Sequence, residues 1–256
     1  MPRGGMARSR RRSGHAFGRT SIPSLPIELG NLTLSPSHPR RTRLIAAHER
    51  YLEDRSSVRF AAGVRRFYSN GTLAAILSRG DMPNRYAAAV ALGVVGNTAS
   101  LDPLGRAISD AERGVRRVAD ESFRGLLVRS AEPKHRNRLV QVARLNEQGE
   151  HAAALAPALI LADQAPEYAE VYHQLAICWY GLDQFDAATE AYHNCVVHCR
   201  YHYPAWLGMA RCRIVVGDLN SAIRSLRRAV EIAPDLEAAR VEIRALERKA
   251  QQDSAD

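Results

Sequence analysis

The residues with the greatest capacity for chemistry in this chain are histidines and cysteines that cluster within ten positions. They are His193, Cys195, His198, Cys199 and His202. Imidazole nitrogens and thiolates are the ligands that zinc prefers, so this density of both types would suit a metal site. On a helix, however, Cys195, Cys199 and His202 share a face from which His193 and His198 diverge. Because buried cysteine also behaves as a small apolar residue, we predict core packing here and no bound metal.

No other stretch has the pattern of a catalytic site. The sequence contains no glycine-rich phosphate loop, no nucleophile elbow and no zinc-protease motif. It also has no pair of carboxylates that helical packing would reliably bring together. We therefore expect no catalytic residues and no cofactor. The four cysteines all fall between positions 178 and 212. Their spacing fits helix packing better than a disulfide framework, so we expect a reducing, cytoplasmic location.

The cluster lies within a stretch, 169–234, that repeats itself at a constant offset. Four pairs of equivalent residues are Tyr172 and Trp206, Leu175 and Met209, Ala176 and Ala210, and Ala188 and Ala222. Pro166 and Pro234 each close a unit. A helical hairpin of this size cannot bury its apolar face alone, so neighbouring hairpins must stack against it.

These residues resemble the tetratricopeptide repeat (TPR), in which a bulky aromatic opens the first helix and alanines lie where the second helix crosses. The resemblance implies three hairpins over 133–236, followed by a capping helix and a frayed tail over 237–256. It places Gly149 and Gly217 at turns between helices. The first hairpin is degenerate, because Pro157 falls inside its second helix and should bend or shorten it.

A second internal repeat, with a slightly shorter offset, precedes the first. The segment 84–93 aligns with 115–124, and an apolar helix precedes each segment. This pattern resembles the short HEAT-like repeat, an apolar helix followed by an alanine-rich one. We therefore predict HEAT-like helical repeats over 43–132, with Pro133 marking the junction between the two repeat types.

The N-terminal region carries the net positive charge. Residues 1–66 contain 14 arginines and four acidic residues, whereas the whole chain has a net charge of +9. Residues 1–42 lack apolar periodicity and have prolines at 23, 26, 36 and 39, so we predict a disordered basic leader. Its arginine cluster at 8–12 is compatible with a solvated tail, or with a start assigned too early ahead of Met6. A contact with phosphate or nucleic acid, an organellar transit peptide and binding to a membrane surface are further interpretations.

The TPR resemblance also implies which residues line the concave surface, because the first helix of each hairpin faces it. They are Leu139, Ala143 and Asn146, then His173, Ile177 and Tyr180, then Leu207, Arg211 and Ile214. This surface is mostly apolar with an aromatic residue and an arginine, types that tend to carry binding energy. Alternatively, some of these residues pack between helices. TPR proteins that grip the acidic tail of heat-shock chaperones use Lys and Asn where this chain has Leu139 and Ala143, so that activity is not expected.

Together these patterns predict an all-α chain folded as a right-handed α–α superhelix, with no membrane span because no apolar run is long enough to cross a bilayer. The function that we expect is a non-catalytic scaffold or adaptor that binds an apolar or amphipathic segment of a protein partner. One alternative is association with nucleic acid through the basic leader. Another is an accessory subunit of an enzyme complex, since HEAT-like repeats of this short type also resemble those of bilin lyases.

Overall fold

The computed structural model describes residues 42–253, and all regular secondary structure in this part is helical. The predicted leader, 1–42, therefore falls outside the described residues except for Thr42. The first six α-helices are α1 (Arg43–Asp54), α2 (Ser57–Phe67), α3 (Asn70–Arg79), α4 (Met82–Val95), α5 (Leu101–Ala107) and α6 (Arg113–Arg129). The other seven are α7 (Pro133–Glu147), α8 (His151–Gln164), α9 (Ala169–Gly181), α10 (Phe185–His198), α11 (Tyr203–Val215), α12 (Leu219–Ile232) and α13 (Glu237–Asp253). The predicted all-α superhelix is confirmed.

The first four helices begin where the sequence supplies a side-chain oxygen as an N-cap. Each of these oxygens accepts a hydrogen bond from a backbone N–H in the first turn, which satisfies a donor that the helix itself leaves unpaired. The capping residues are Thr42, Ser56, Ser69 and Asp81. Short polar side chains thus fix the boundaries of α1 to α4.

The helices after α8 recur at the spacing that the sequence predicts. α9, α11 and α13 begin at the equally spaced positions Ala169, Tyr203 and Glu237, and the same offset separates Phe185 of α10 from Leu219 of α12. Each first helix packs against its second helix to form a hairpin, and each hairpin packs against the next. The periodicity of the sequence is therefore the periodicity of the fold.

The turn inside each hairpin depends on one residue in the left-handed backbone conformation. Gly149, Asp183 and Gly217 occupy equivalent positions and have φ angles of 78°, 59° and 82°. Glycine adopts this conformation without steric cost, and aspartate tolerates it better than most residues do. The predicted positions of Gly149 and Gly217 are correct, and the second hairpin makes the same turn with aspartate.

Pro157 does not shorten the second helix of the first hairpin. α8 contains this proline and has 14 residues, the same length as α10 and α12. Of the two predicted effects, bending or shortening, the shortening does not occur, because the contacts of α8 with α7 and α9 hold the helix together despite the missing backbone donor.

The N-terminal helices form two hairpins, α3 with α4 and α5 with α6, which lie side by side. α4 packs on α6, α3 packs on α5, and α1 and α2 cover α4. α4 and α6 approach closely at Gly93, where a Cβ atom would overlap the Ser122 side chain. Membership of these hairpins in the HEAT-like family stays a prediction.

α6 also runs along one edge of the C-terminal hairpins and contacts residues at or just before the starts of α9, α11 and α13. The contacting pairs are Val128 with Tyr168, Asp120 with Tyr203, and Arg116 with Asp235. The Tyr168 hydroxyl donates to the Val128 carbonyl at 2.9 Å, and the Arg116 guanidinium donates to both carboxylate oxygens of Asp235 at 2.8 and 3.0 Å. The N-terminal helices therefore flank the repeats as well as precede them.

α5 makes a second contact with the repeats, at the turn between α10 and α11. Arg200 in this turn forms an ion pair with Asp102 of α5. Next to it, the Tyr201 ring lies so close to Gly105 that a Cβ atom there would overlap the ring carbons. The absence of a side chain at Gly105 is what permits this packing.

Candidate functional site

The residues that the sequence predicts to line a concave surface lie on α7, α9 and α11, which pack side by side in that order. The structure places the nine predicted residues at three levels of exposure. Leu139, Asn146 and Ile177 are buried, Ala143, His173, Tyr180, Leu207 and Ile214 are partly exposed, and Arg211 is exposed. The side chains that solvent reaches are thus concentrated on α9 and α11.

Leu139 and Asn146 of α7 pack between hairpins. Leu139 is 2% exposed and lies in an apolar cluster with Leu161 and Val171. The Asn146 amide donates to the backbone carbonyl of Gln174 at 3.0 Å and to its side-chain oxygen at 3.1 Å. These two residues therefore join the first hairpin to the second.

Tyr180 and Arg211 lie near each other, one on α9 and one on α11. The Tyr180 ring packs edge-on against Phe185, with ring centroids 5.6 Å apart. Burial raises the pKa of Tyr180, and the positive charge of Arg211 partly opposes that shift. An aromatic ring and a guanidinium are thus brought together on the surface of adjacent first helices.

A buried polar cluster occupies the N-terminal ends of α9 and α11. Both imidazoles of the cluster bind the Glu170 carboxylate, with His173 Nδ1 at 3.2 Å from Oε1 and His202 Nε2 at 3.0 Å from Oε2. Gln174 Nε2 donates to Oε1 at 3.0 Å. Glu170 is therefore a buried carboxylate whose two oxygens face three nitrogen donors.

The hydrogen bonds of Glu170 decide its charge state. Desolvation by itself would raise the pKa of this carboxyl, but the charge of His173 and the hydrogen bonds from His173 and His202 outweigh desolvation and lower it. In the opposite sense, burial lowers the pKa of His202, and the charge of His173 adds to that effect. The cluster thus pairs an ionised glutamate with a neutral His202.

Glu170, His173 and His202 offer a donor set that could in principle hold a metal ion, since their ligand atoms lie within 4.8 Å of one another. The backbone N–H of Ala205, however, donates to His202 Nδ1 at 3.2 Å. A metal bound at Nε2 would move the remaining ring proton to Nδ1, where it would point at that N–H. The residues present therefore fit a hydrogen-bonded cluster and not a metal centre.

The structure separates the histidines and cysteines that the sequence groups together. His193 is exposed, and His198 is exposed with its ring stacked on Tyr172 at a centroid distance of 5.4 Å. Cys195 and Cys199 are buried, and His202 joins Glu170. The five residues therefore do not form one site.

All four thiols are buried and stay protonated at neutral pH. Burial raises the pKa of Cys178, Cys199 and Cys212 to about 11, and it raises the pKa of Cys195 as well. The thiolate is the form that attacks electrophiles and binds metals. Their environment is that of small apolar side chains in a core, as the sequence predicts.

Glu170 and His173 belong to the buried cluster but lie outside the stretch in which histidines and cysteines are concentrated in the sequence. A search for such a stretch therefore does not find them. Glu170 lies 32 residues before His202, so no local motif connects them. A signal is present nonetheless. Glu170 and Gln174 are polar residues on the inward side of α9, a helix whose other inward residues are apolar. A polar pair at such positions indicates a buried partner elsewhere in the chain.

No protein-family model matches the chain. The chain is 33% identical over 104 residues to the BBSome complex member BBS4 of Bos taurus, a match that covers 40% of this chain and 20% of that protein. The chain thus spans about a fifth of the length of this relative. None of the helices in 42–253 is long and apolar enough to cross a membrane.

Two solved structures described as TPR proteins are similar in fold. The TPR2AB domain of yeast Sti1 in complex with pHSP90 has a TM-score of 0.42 and 14% identity, and the match covers 81% of this chain and 90% of that one. TTC0263 of Thermus thermophilus has a TM-score of 0.35 and 18% identity, and the match covers 80% of this chain and 96% of that one. At these TM-scores neither structure is informative about ligands of this chain.

Proposed function

We propose that this protein is a non-catalytic interaction scaffold that binds a segment of a protein partner on the surface of α9 and α11. The observation that carries the proposal is the grouping of Tyr180, Leu207, Arg211 and Ile214 as solvent-accessible side chains on adjacent first helices. A ring, two aliphatic side chains and a guanidinium match an apolar or amphipathic segment better than a small polar ligand. Protonated, buried thiols suit a reducing compartment such as the cytoplasm.

The repeat architecture supports this proposal. Stacked helical hairpins create an extended curved surface whose residues vary without cost to the core, and such surfaces commonly bind other proteins. In this chain the core positions are filled by alanine, leucine and cysteine, while the exposed positions of α11 include Arg211. The surface can therefore specify a partner independently of the fold.

Affinity capture with the full chain tests the proposal. We expect a protein from native lysate to be retained by the wild-type chain and lost on the Tyr180→Ala, Arg211→Ala double variant, because both changes remove side chains at the centre of the surface. A matched control is His193→Ala with Val197→Ser, both exposed on α10. This control should retain the partner, and circular dichroism melts should show that both variants fold.

Equal retention by the wild type and the Tyr180, Arg211 variant would contradict the proposal. Material that is sensitive to nuclease, and is lost when residues 1–42 are deleted, would instead favour the alternative of nucleic-acid association through the basic leader. Steep loss of that material between low and moderate salt would agree with a contact to phosphates.

A further inference from the structure

α13 occupies the position of a fourth first helix, although only three hairpins precede it. It begins at Glu237, one repeat length after the start of α11, and it packs against α12 as α11 packs against α10. Ala239 and Leu246 of α13 are buried in the same apolar cluster as Ala210 and Leu226. The helix that ends the array therefore continues the row of helices that forms the concave surface.

Each proposed binding position of α11 has an equivalent position on α13, one repeat length later in the chain. Leu207 corresponds to Val241, Arg211 to Ala245 and Ile214 to Arg248. Val241 is 57% exposed, and Ala245 and Arg248 are exposed as well. The surface of α11 thus continues over α13 as accessible side chains.

Residues of α11 and α13 rest on one shared apolar cluster. Leu207 and Ile214 of α11 and Ile243 of α13 are partly buried, and all three pack against the cluster that contains Ala239 and Leu246. An elongated segment lying across Leu207 would therefore reach α13 next.

The charges at these positions are all of one sign. The six equivalent positions on α11 and α13 contain two arginines, Arg211 and Arg248, and no acidic residue. Arg248 is followed by Lys249 and is one helical turn from Arg244, and these three cations form no ion pair with another residue of 42–253. The same span of α13 also contains Glu247, which pairs with Arg227, and the exposed Glu242, so the cations outnumber the remaining acidic charge. A partner with carboxylates would therefore meet complementary charge at this end of the surface.

We propose that α11 and α13 together bind an acidic amphipathic segment of a protein partner. Its apolar side chains would contact Leu207 and Val241, and its carboxylates would face Arg211 and Arg248. This inference rests on the proposed function, and it names the chemistry of the partner and adds α13 to the binding surface.

A library of displayed random peptides, panned on the full chain, tests the inference. We expect the enriched peptides to combine leucine-like side chains with several aspartates or glutamates. The best of them is then made with a fluorescent label and its affinity is measured by anisotropy. Arg248→Glu should weaken binding by roughly fivefold to tenfold, because it replaces an attraction at the surface by a repulsion. Raising NaCl from about 0.05 M to about 0.5 M should weaken binding to the wild type by screening.

Two controls isolate the α13 surface. Arg65→Glu on α2 changes the net charge equally but lies on another helix, and Val58→Ser on α2 makes the same substitution as Val241→Ser at another exposed valine. Both controls should leave the affinity unchanged, whereas Val241→Ser should weaken it. Arg248→Lys keeps the charge and should restore most of the affinity that Arg248→Glu loses.

The other outcomes separate this inference from the proposed function. If the enriched peptides lose affinity for the Tyr180→Ala, Arg211→Ala variant but not for the α13 variants, the binding surface stands and its extension onto α13 is wrong. Enrichment of basic or uncharged peptides would contradict the proposal that the partner segment is acidic. If no peptide is enriched over a bare support, or if all variants bind equally, both proposals fail.

Discussion

Glu170 is the residue that most depends on its surroundings, because a buried carboxylate is stable only when donors surround it. Here the donors come from two first helices. His173 and Gln174 lie on α9, one turn away, and His202 precedes α11. His202 simultaneously caps α11 by accepting the Ala205 N–H. The His202 imidazole therefore links the Glu170 carboxylate in the second hairpin to the first turn of α11 in the third.

The protonation state of His202 should make the stability of the protein depend on pH. Burial lowers its pKa below the ordinary 6.5, so the unfolded chain takes up a proton that the native cluster does not. The stabilisation is fully present above pH 6.5 and is lost as the pH falls below that value. A His202→Asn variant keeps a capping oxygen without titrating. Between about pH 7.5 and about pH 5.5 the wild type should lose about 1 kcal/mol more free energy of unfolding than this variant does.

Urea titrations at several pH values measure this difference. Glu170, His173, Cys195 and Cys199 surround the same site and stay unchanged in both proteins. Burial also lowers the pKa of His48 and His151, so part of the acid sensitivity should persist in the variant. Parallel pH profiles for the two proteins would show that His202 is not responsible.

For single residues, the register of the repeat predicts where a residue lies in a hairpin better than it predicts which residues its side chain contacts. It correctly locates the turn residues Gly149 and Gly217, since a left-handed turn recurs wherever the hairpin does. It cannot tell whether Leu139 or Asn146 faces a ligand or the next hairpin, because the same helix face serves both purposes. Nor can it predict the pairing of Glu170 with His202, which depends on the packing of two hairpins.

Among the helices, α6 contacts both halves of the chain, because it packs on α4 and α5 and also on α7 and α9. Its C-terminal carbonyls find their partners in side chains outside the helix. The carbonyl of Val128 accepts from Tyr168, that of Leu127 from Ser130, and that of Arg129 from Arg136. Since a helix leaves its last carbonyls unpaired, these contacts both end α6 and attach it to the first and second hairpins.

Tyr168→Phe should lower the free energy of unfolding by about 1 kcal/mol, because it removes the hydroxyl that donates to Val128 and leaves that carbonyl without this partner. Tyr172→Phe is a matched control. The Tyr172 ring stacks on His198, and its hydroxyl donates no hydrogen bond within the described part of the chain. Chemical denaturation of both variants measures the difference, and equal effects would mean that the Val128 contact contributes nothing.

The sequence predicts most helices but not the course of α6. Apolar periodicity and the two repeat offsets are local signals, and they correctly indicate helical hairpins. The contact of Arg116 with Asp235, by contrast, joins residues that lie 119 positions apart in the chain. Charges of this kind are equally compatible with ion pairs inside one helix, so sequence spacing does not identify Asp235 as the partner of Arg116.

For the whole molecule, the contact between α5 and the turn after α10 is a close approach of the N-terminal helices to the repeats. Gly105→Ala should destabilise the protein by about 1–3 kcal/mol, because the added methyl would overlap the Tyr201 ring and force one of the two segments to move. Gly125→Ala on α6 is the control, since a Cβ there meets nothing within 4 Å. That change should stabilise the protein by about 0.5–1 kcal/mol through helix propensity.

Thermal and urea unfolding of the two glycine variants give the comparison. Destabilisation by Gly105→Ala with stabilisation by Gly125→Ala would establish that the halves are held together by close packing at Tyr201. A Gly105→Ala variant as stable as the wild type would mean that the turn after α10 moves without cost, and that the two halves are attached elsewhere.

The contacts of α5 and α6 with the three hairpins have a consequence for how the protein folds. A simple array of repeats contacts only its neighbours, so it can nucleate at any repeat and fray from its ends. Here the pairs Asp102 with Arg200 and Arg116 with Asp235 close loops of 98 and 119 residues. Such loops carry an entropic cost before the contacts form, which slows folding. In return, the last hairpin cannot detach without breaking contacts made by the first half of the chain, so we expect the array to unfold more cooperatively than a simple row of repeats.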